Sequence, residues 1–192
     1  MKLVVIYPGR FQPFGQHHFK AYKFLTAMFG PNNVYIVTSN HTNNIESPLS
    51  FNEKLWFMQN FIPLNKIEMV KNPYKAEELL KNFNLDDTIV IFAYSSKDEN
   101  RISYTKKDGS PGYLQPYING GDLKSASHNG YIFVLPEFSI KYKGKNLSGT
   151  YCRELLRKFS IDPSSIEFQK EFKRIFGFFN KTLYFKILDK FK

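Results

Sequence analysis

Residues 2–18 read KLVVIYPGRFQPFGQHH, and the order of elements follows from them. Lys2–Tyr7 is a short apolar, β-branched run that stops at Pro8-Gly9. A continuous run of this kind suits a strand buried on both faces, as in a parallel sheet. A helix follows from about His17 to Phe29, with Phe19, Tyr22, Phe24, Leu25 and Met28 forming its apolar face and Gly30-Pro31 closing it. Val34–Thr38 is a second strand. Strand, helix and strand make a βαβ unit, whose crossover is almost always right-handed.

Ser50 is followed three residues later by Glu53, the pattern of a capping box. The helix it opens runs through Leu55, Trp56, Met58 and Gln59 and stops before Pro63, with Trp56 expected to pack inward. Lys66–Val70 reads as a strand and Tyr74–Phe83 as a helix. Thr88–Tyr94 and Tyr131–Leu135 are two further buried strands. Between Ser95 and Gly130 the pattern breaks into Gly, Ser, Asn, Asp and Lys, which predicts a functional or disordered loop. Ser148 opens a helix to Phe159; Ser164–Phe179 and Leu183–Phe191 also read as helical. The alternation predicts an α/β protein: a Rossmann-like, mostly parallel sheet with helices on both faces and a helical C-terminal segment. One domain is expected over 1–159, with an irregular insertion at 97–130 and a helical extension of the same domain at 160–192.

The composition narrows the classes. With 192 residues, 42% apolar and 23% charged, the chain is neither disordered, collagenous nor coiled-coil. A single cysteine, Cys152, excludes an intrachain disulfide and a cysteine-rich zinc site. No run approaches the ~18 apolar residues of a membrane helix, and Leu3–Tyr7 is too short for a signal-peptide core. The expectation is a cytoplasmic protein without membrane partners. The net charge is +10, and residues 97–192 contribute +8 of it. Such a basic half suits a solvated lysine surface, a phosphorylated small molecule or nucleic acid. The cations are scattered and mostly Lys, so nucleic acid is not expected as a partner.

In a parallel sheet, ligands bind at the carboxyl ends of strands near a topological switch point. The loop leaving the first strand holds Arg10, and His17 and His18 fall at the following helix start. A helix start presents free N–H groups and partial positive charge, a natural phosphate site. Either histidine could donate a ring N–H to a phosphate oxygen, better when protonated.

GRFQPF followed by a histidine at a helix start resembles the first signature of the nucleotidylyltransferase superfamily, most closely the nicotinamide mononucleotide adenylyltransferases and phage-encoded relatives. In that family the loop ends His-x-Gly-His. Here Gly15 stands at the first histidine's place, His17 at the glycine's and His18 at the second histidine's. The resemblance implies nucleotide contacts from Gly9, Arg10, Phe11, Gln12, Pro13 and Phe14, and catalytic roles for His18 and, as a substitute, His17. Leu147-Ser148-Gly149-Thr150-Tyr151-Cys152-Arg153 resembles the second signature, Ile-Ser-Ser/Gly-Thr-x-x-Arg. It implies that Ser148, Gly149, Thr150 and Arg153 hold the phosphates that leave. Ser39 at a strand end, Lys54 on the capped helix, and Asp98 and Arg101 after the fourth strand are the candidate acceptor contacts. His41 reads as an exposed loop histidine.

The resemblance implies transfer of a nucleoside monophosphate, AMP before CMP, from ATP or CTP to a phosphorylated small-molecule acceptor such as nicotinamide mononucleotide, with release of pyrophosphate. Mg²⁺ is expected to arrive on the triphosphate rather than in a carboxylate cage. Two alternatives stay open: a nucleotide-binding protein impaired in turnover, and a basic nucleic-acid-binding protein.

Overall fold

The computed structural model describes residues 1–43 and 45–192, with the side chains of 99–101 outside the description. The chain forms two compact units, each drawn from three stretches: 1–9, 22–39 and 66–137 in the first, 10–21, 40–65 and 138–192 in the second.

The first unit is built on six parallel strands: β1 (Lys2–Pro8), β2 (Val34–Thr38), β3 (Ile67–Met69), β4 (Thr88–Ser95), β5 (Leu114–Pro116) and β6 (Gly130–Leu135). Their order across the sheet is β3-β2-β1-β4-β6-β5. Val5 sits opposite Val34 on one side, and Val4 opposite Val90 on the other. Val4, Val5 and Ile6 are all buried, as are Val90, Ile91 and Phe92, which accounts for the uninterrupted apolar runs. The strand order reverses between β1 and β4, so their carboxyl ends mark the switch point. The loop after Pro8 leaves the sheet there.

Helix α1 (Gln16–Phe29) links β1 to β2, and α3 (Glu77–Leu80) precedes β4. The latter is much shorter than the expected Tyr74–Phe83. Ala76 adopts φ 50, which no helix interior allows, and the Asn72 carbonyl instead accepts from Lys75 and Ala76 in a separate turn. At the other end, Asn82 and Phe83 bond only to the carbonyls three residues back.

Residues 97–130 are more ordered than an irregular loop. They contain β5, which pairs with β6, and a short 3₁₀ turn at Ser96–Arg101. The Tyr113 hydroxyl donates to the Ala126 carbonyl at 2.7 Å, and a methyl group on Gly130 would stand 2.9 Å from the Tyr113 ring. That glycine is what lets the tyrosine close the turn.

The second unit holds the 10–15 loop, the start of α1, α2 (Phe51–Met58), a small hairpin of β7 (Lys141–Tyr142) and β8 (Lys145–Asn146), α4 (Gly149–Ile161), α5 (Ile166–Phe176) and α6 (Lys181–Leu188). Its core is aromatic: Phe172 packs on Phe176 at 4.6 Å between centroids and on Tyr184 at 5.1 Å, and Phe57 meets Phe176 at 5.2 Å. Such pairs contribute roughly 0.5–1.5 kcal/mol each beyond the area they bury. Gln16 reaches the end of α5, where its Nε2 donates to the carbonyls of Arg174 and Ile175, both at 2.8 Å. This satisfies two of the acceptors a helix end leaves open. Trp56 is not the core residue it was expected to be: it is half-buried, with Lys186 Nζ 5.2 Å from its ring. The buried stripe of α2 consists of Glu53, Lys54, Phe57 and Met58.

Candidate active site

The 10–18 segment is pinned by its own side chains. Phe11 takes φ 47, unusual for a bulky residue, and the Gln12–Pro13 peptide is cis. Phe11 and Phe14 are buried, with their rings 5.1 Å and 5.3 Å from that of His18. Gln12 is 3% exposed; its Nε2 donates to the Leu49 carbonyl at 2.7 Å and its Oε1 accepts the Leu49 N–H at 2.8 Å. The amide thus behaves as one rung of a ladder between two loops. The Gln12 side chain is engaged within the protein, and its backbone carbonyl is what faces α4.

His18 Nδ1 accepts the Gly15 N–H at 3.0 Å, which puts the proton of the neutral ring on Nε2. Burial, then the adjacent His17, holds its pKa well below the usual histidine value. His18 is therefore a neutral hydrogen-bond donor at physiological pH. The two imidazoles lie 3.9 Å apart, tilted by 40°.

His17 occupies a telling position. A methyl group built on Gly15 would stand 3.2 Å from both Cε1 and Nδ1 of the His17 ring. The imidazole of residue 17 fills the space that a side chain at 15 would enter.

The second motif sits at the start of α4. Ser148 is extended, φ −137 and ψ 163, and its Oγ accepts the Tyr151 N–H at 3.2 Å. That cap leaves the first-turn N–H groups of Gly149 and Thr150 without helical acceptors, as at any helix start. One turn in, Arg153 Nη1 donates to the Gln12 carbonyl at 3.0 Å and Nη2 to Thr150 Oγ1 at 3.2 Å. A Cβ on Gly149 would lie 3.3 Å from Arg153 Nη1, so the glycine makes room for this contact. The two motifs meet through the guanidinium.

Cations crowd here. Burial first, then the charges of Arg10 and Arg157, depresses the Arg153 pKa. Glu46 is the acid that offsets them; it pairs with Arg10 at 3.1 Å, with both side chains largely exposed. An exposed pair of this kind is worth little. Arg157 Nη2 donates to the Ile45 carbonyl at 2.7 Å. Cys152, between Thr150 and Arg153, is 1% exposed, and burial pushes its thiol up to about 12.

The acceptor candidates fall in both units. Lys54 belongs to the second; it is 1% exposed, and burial pushes its ammonium down to about 8. Ser39, half-buried after β2, and Asp98 belong to the first. Asp98 Oδ2 accepts from Ser95 Oγ at 2.7 Å. The side chain of Arg101 lies outside the described residues. His41 is exposed. In the first unit Tyr74, Tyr94, Asp98, Ile102, Ser103 and Leu114 line a cleft of about 310 Å³. The two tyrosine rings are 5.5 Å apart, and the Tyr94 hydroxyl donates to the Tyr74 carbonyl at 3.2 Å. Neither tyrosine stands out in the sequence, since one lies in a buried strand and the other in a turn read as helix.

A six-stranded parallel sheet whose first strand feeds a glycine- and proline-shaped loop into a helix start is the framework of an α/β nucleotide-binding fold. No protein-family model and no curated protein matches the sequence. Among solved structures, the chain is similar to a protein of Vibrio parahaemolyticus assigned as a nicotinate-nucleotide adenylyltransferase, at 12% identity and TM-score 0.51, covering 98% of this chain and 99% of that one. It is also similar to a bifunctional NMN adenylyltransferase/ADP ribose pyrophosphatase of Francisella tularensis, at 15% identity, TM-score 0.52 and 98% of this chain. A structure of such a Francisella enzyme with AMP and a manganese ion aligns at 17% identity and TM-score 0.50. This chain spans about half the length of the Francisella proteins. The fold is thus one that adenylyltransferases use, in agreement with the resemblance carried by the two motifs. No helix among the described residues is long and apolar enough to cross a membrane.

Proposed function

We propose that this protein is a nucleotidyltransferase that moves a nucleoside monophosphate, AMP in the first instance, from a nucleoside triphosphate to a phosphorylated small acceptor of the nicotinamide mononucleotide type. The observation that carries this reading is the junction of the two motifs, where Arg153 spans from Thr150 to the Gln12 carbonyl, in the loop that leads to the His17–His18 pair.

In the proposed reaction a phosphate oxygen of the acceptor attacks the α-phosphorus of the triphosphate, the bond to the β-phosphate oxygen breaks, and pyrophosphate leaves. No covalent intermediate on the protein is needed. Catalysis rests on positioning and on neutralising charge that builds on the phosphate oxygens. His18 donates Nε2–H to the α-phosphate while its Nδ1 is fixed by Gly15. His17 supplies a second imidazole from the space beside Gly15. The α4 start, with Thr150, Arg153 and Arg10, holds the β- and γ-phosphates. Mg²⁺ enters as part of the triphosphate substrate. Lys54, in the same unit as both motifs, is the proposed acceptor contact.

The decisive measurement is pyrophosphate release from ATP and from CTP, with Mg²⁺, against a panel containing nicotinamide mononucleotide, nicotinate mononucleotide and phosphopantetheine. Turnover with one acceptor establishes the reading. Triphosphate binding without turnover for any of them would favour the impaired nucleotide-binding protein suggested by Gly15.

A further inference from the structure

The 3₁₀ turn Asp189–Phe191, which follows α6, touches both helices that carry the second unit's charged candidates. On one side Lys190 Nζ pairs with Glu53 Oε1 at 2.9 Å, at the start of α2. On the other the Phe191 carbonyl accepts from Ser160 Oγ at 3.2 Å, and the Arg157 guanidinium lies 6.0 Å from the Phe191 ring, both on α4.

From Glu53 the contacts run inward without a gap. Its Oε2 accepts from both the N–H and the hydroxyl of Ser50, at 2.8 Å and 2.9 Å, which fixes the backbone entering α2. The preceding residue, Leu49, is fully buried and bonded through both its N–H and its carbonyl to the Gln12 amide. The Gln12 carbonyl in turn receives Arg153. Glu53 is itself nearly buried. Burial raises its pKa, but the hydrogen bond from Lys190 and those from Ser50 outweigh that and leave it below the usual value.

We propose that Asp189–Phe191 is a clasp and that Lys190 is a positioning residue for the triphosphate site, acting on Arg153 through Glu53, Leu49 and Gln12. Lys190 touches no reacting atom; it sets where the Gln12 carbonyl stands, and with it the arginine that meets the leaving phosphates. The role in catalysis rests on the function proposed above, but the mechanical part does not.

The test uses Lys190→Ala and Lys190→Arg in the full chain, with Glu53→Gln as a second route to the same loss. Hydrogen–deuterium exchange is read over 46–54 and 10–18, and KM for MgATP is read separately from kcat. Lys190→Ala and Glu53→Gln should speed exchange in both segments and raise KM for the triphosphate roughly 2- to 30-fold with kcat kept. Lys190→Arg should match the parent in both readouts. Faster exchange confined to 46–54, unchanged exchange throughout, or an effect that arginine does not rescue would overturn the clasp. If the parent shows no transfer with any acceptor, the exchange data still decide the clasp, and the function proposal alone fails.

Discussion

Arg153 and the carbonyl of Gln12 are joined by a 3.0 Å hydrogen bond across 141 residues of sequence. With the bond to Thr150 Oγ1 two of the five guanidinium N–H donors are used, and the group stands among the charges of Arg10 and Arg157. An anion with several oxygens relieves that repulsion better than one with few.

Arg153→Ala should therefore weaken triphosphate binding by about 10- to 100-fold, the range for a charge-assisted hydrogen bond. The corresponding monophosphate should lose little. Calorimetry with ATP and AMP checks this, and equal losses for both would remove Arg153 from the leaving-phosphate role.

The exchange of side chains between positions 15 and 17 makes a prediction that a generic loop would not. His17→Gly should lower the transfer rate by about 10²–10³, the usual loss when one charge-stabilising donor is removed. Gly15→His alone should also be slow, because the new side chain would start 3.2 Å from the His17 ring. The double variant Gly15→His/His17→Gly should recover the parental rate. Steady-state pyrophosphate release on the three proteins decides it; a double variant as slow as the singles would show that the two positions are not interchangeable.

Protonation of His18 should destabilise the fold. Its folded pKa lies below its unfolded value, so above pH ~6.5 both states are neutral and the group has no effect on stability. As pH falls below that, the unfolded chain takes up the proton first, and stability drops by up to about 1.4 kcal/mol per pH unit until the folded pKa is reached. Urea melts between pH 7.5 and 5 should show this slope, and His18→Asn should flatten it. A slope that survives the substitution belongs to another group.

Lys54 is a charge kept under cover at 1% exposure. Lys54→Met preserves most of the volume and removes the ammonium, so it should abolish acceptor turnover while the chain still folds. Thermal melts and transfer assays on one preparation test both halves. A folded variant that keeps the parent's turnover would remove Lys54 from the acceptor contacts.

Much of this architecture could be read from the chain because the decisive segments satisfy one rule each. β1, β2, β4 and β6 are runs of apolar residues buried on both faces, and the Ser50–Glu53 box closes as the spacing says. The segments that escaped obey weaker rules. β5 is three residues at a sheet edge, half-exposed and ending in proline, and the β7–β8 hairpin pairs only two residues from each strand. α3 shrank because a single residue, Ala76, crossed into the left-handed region. At the candidate site the helix starts and Arg153 are legible from motif chemistry. The engagement of Gln12 with Leu49 is not, since it joins loops 37 residues apart that share no periodicity. Nor is the placement of the His17 ring over Gly15, which depends on how far one side chain folds back along its own turn.

Cys152 gives the molecule an internal clock. It is the sole thiol, it is sealed inside α4, and it is the immediate neighbour of Arg153. A reagent that alkylates thiolates can reach it only when α4 lifts away, so the rate of modification counts those openings and nothing else on the chain contributes background. A ligand that grips Arg153 must slow that count in proportion to how tightly it holds. Occupancy of the proposed triphosphate site can then be followed in a mixture, by mass, without a label and without waiting for any product to form.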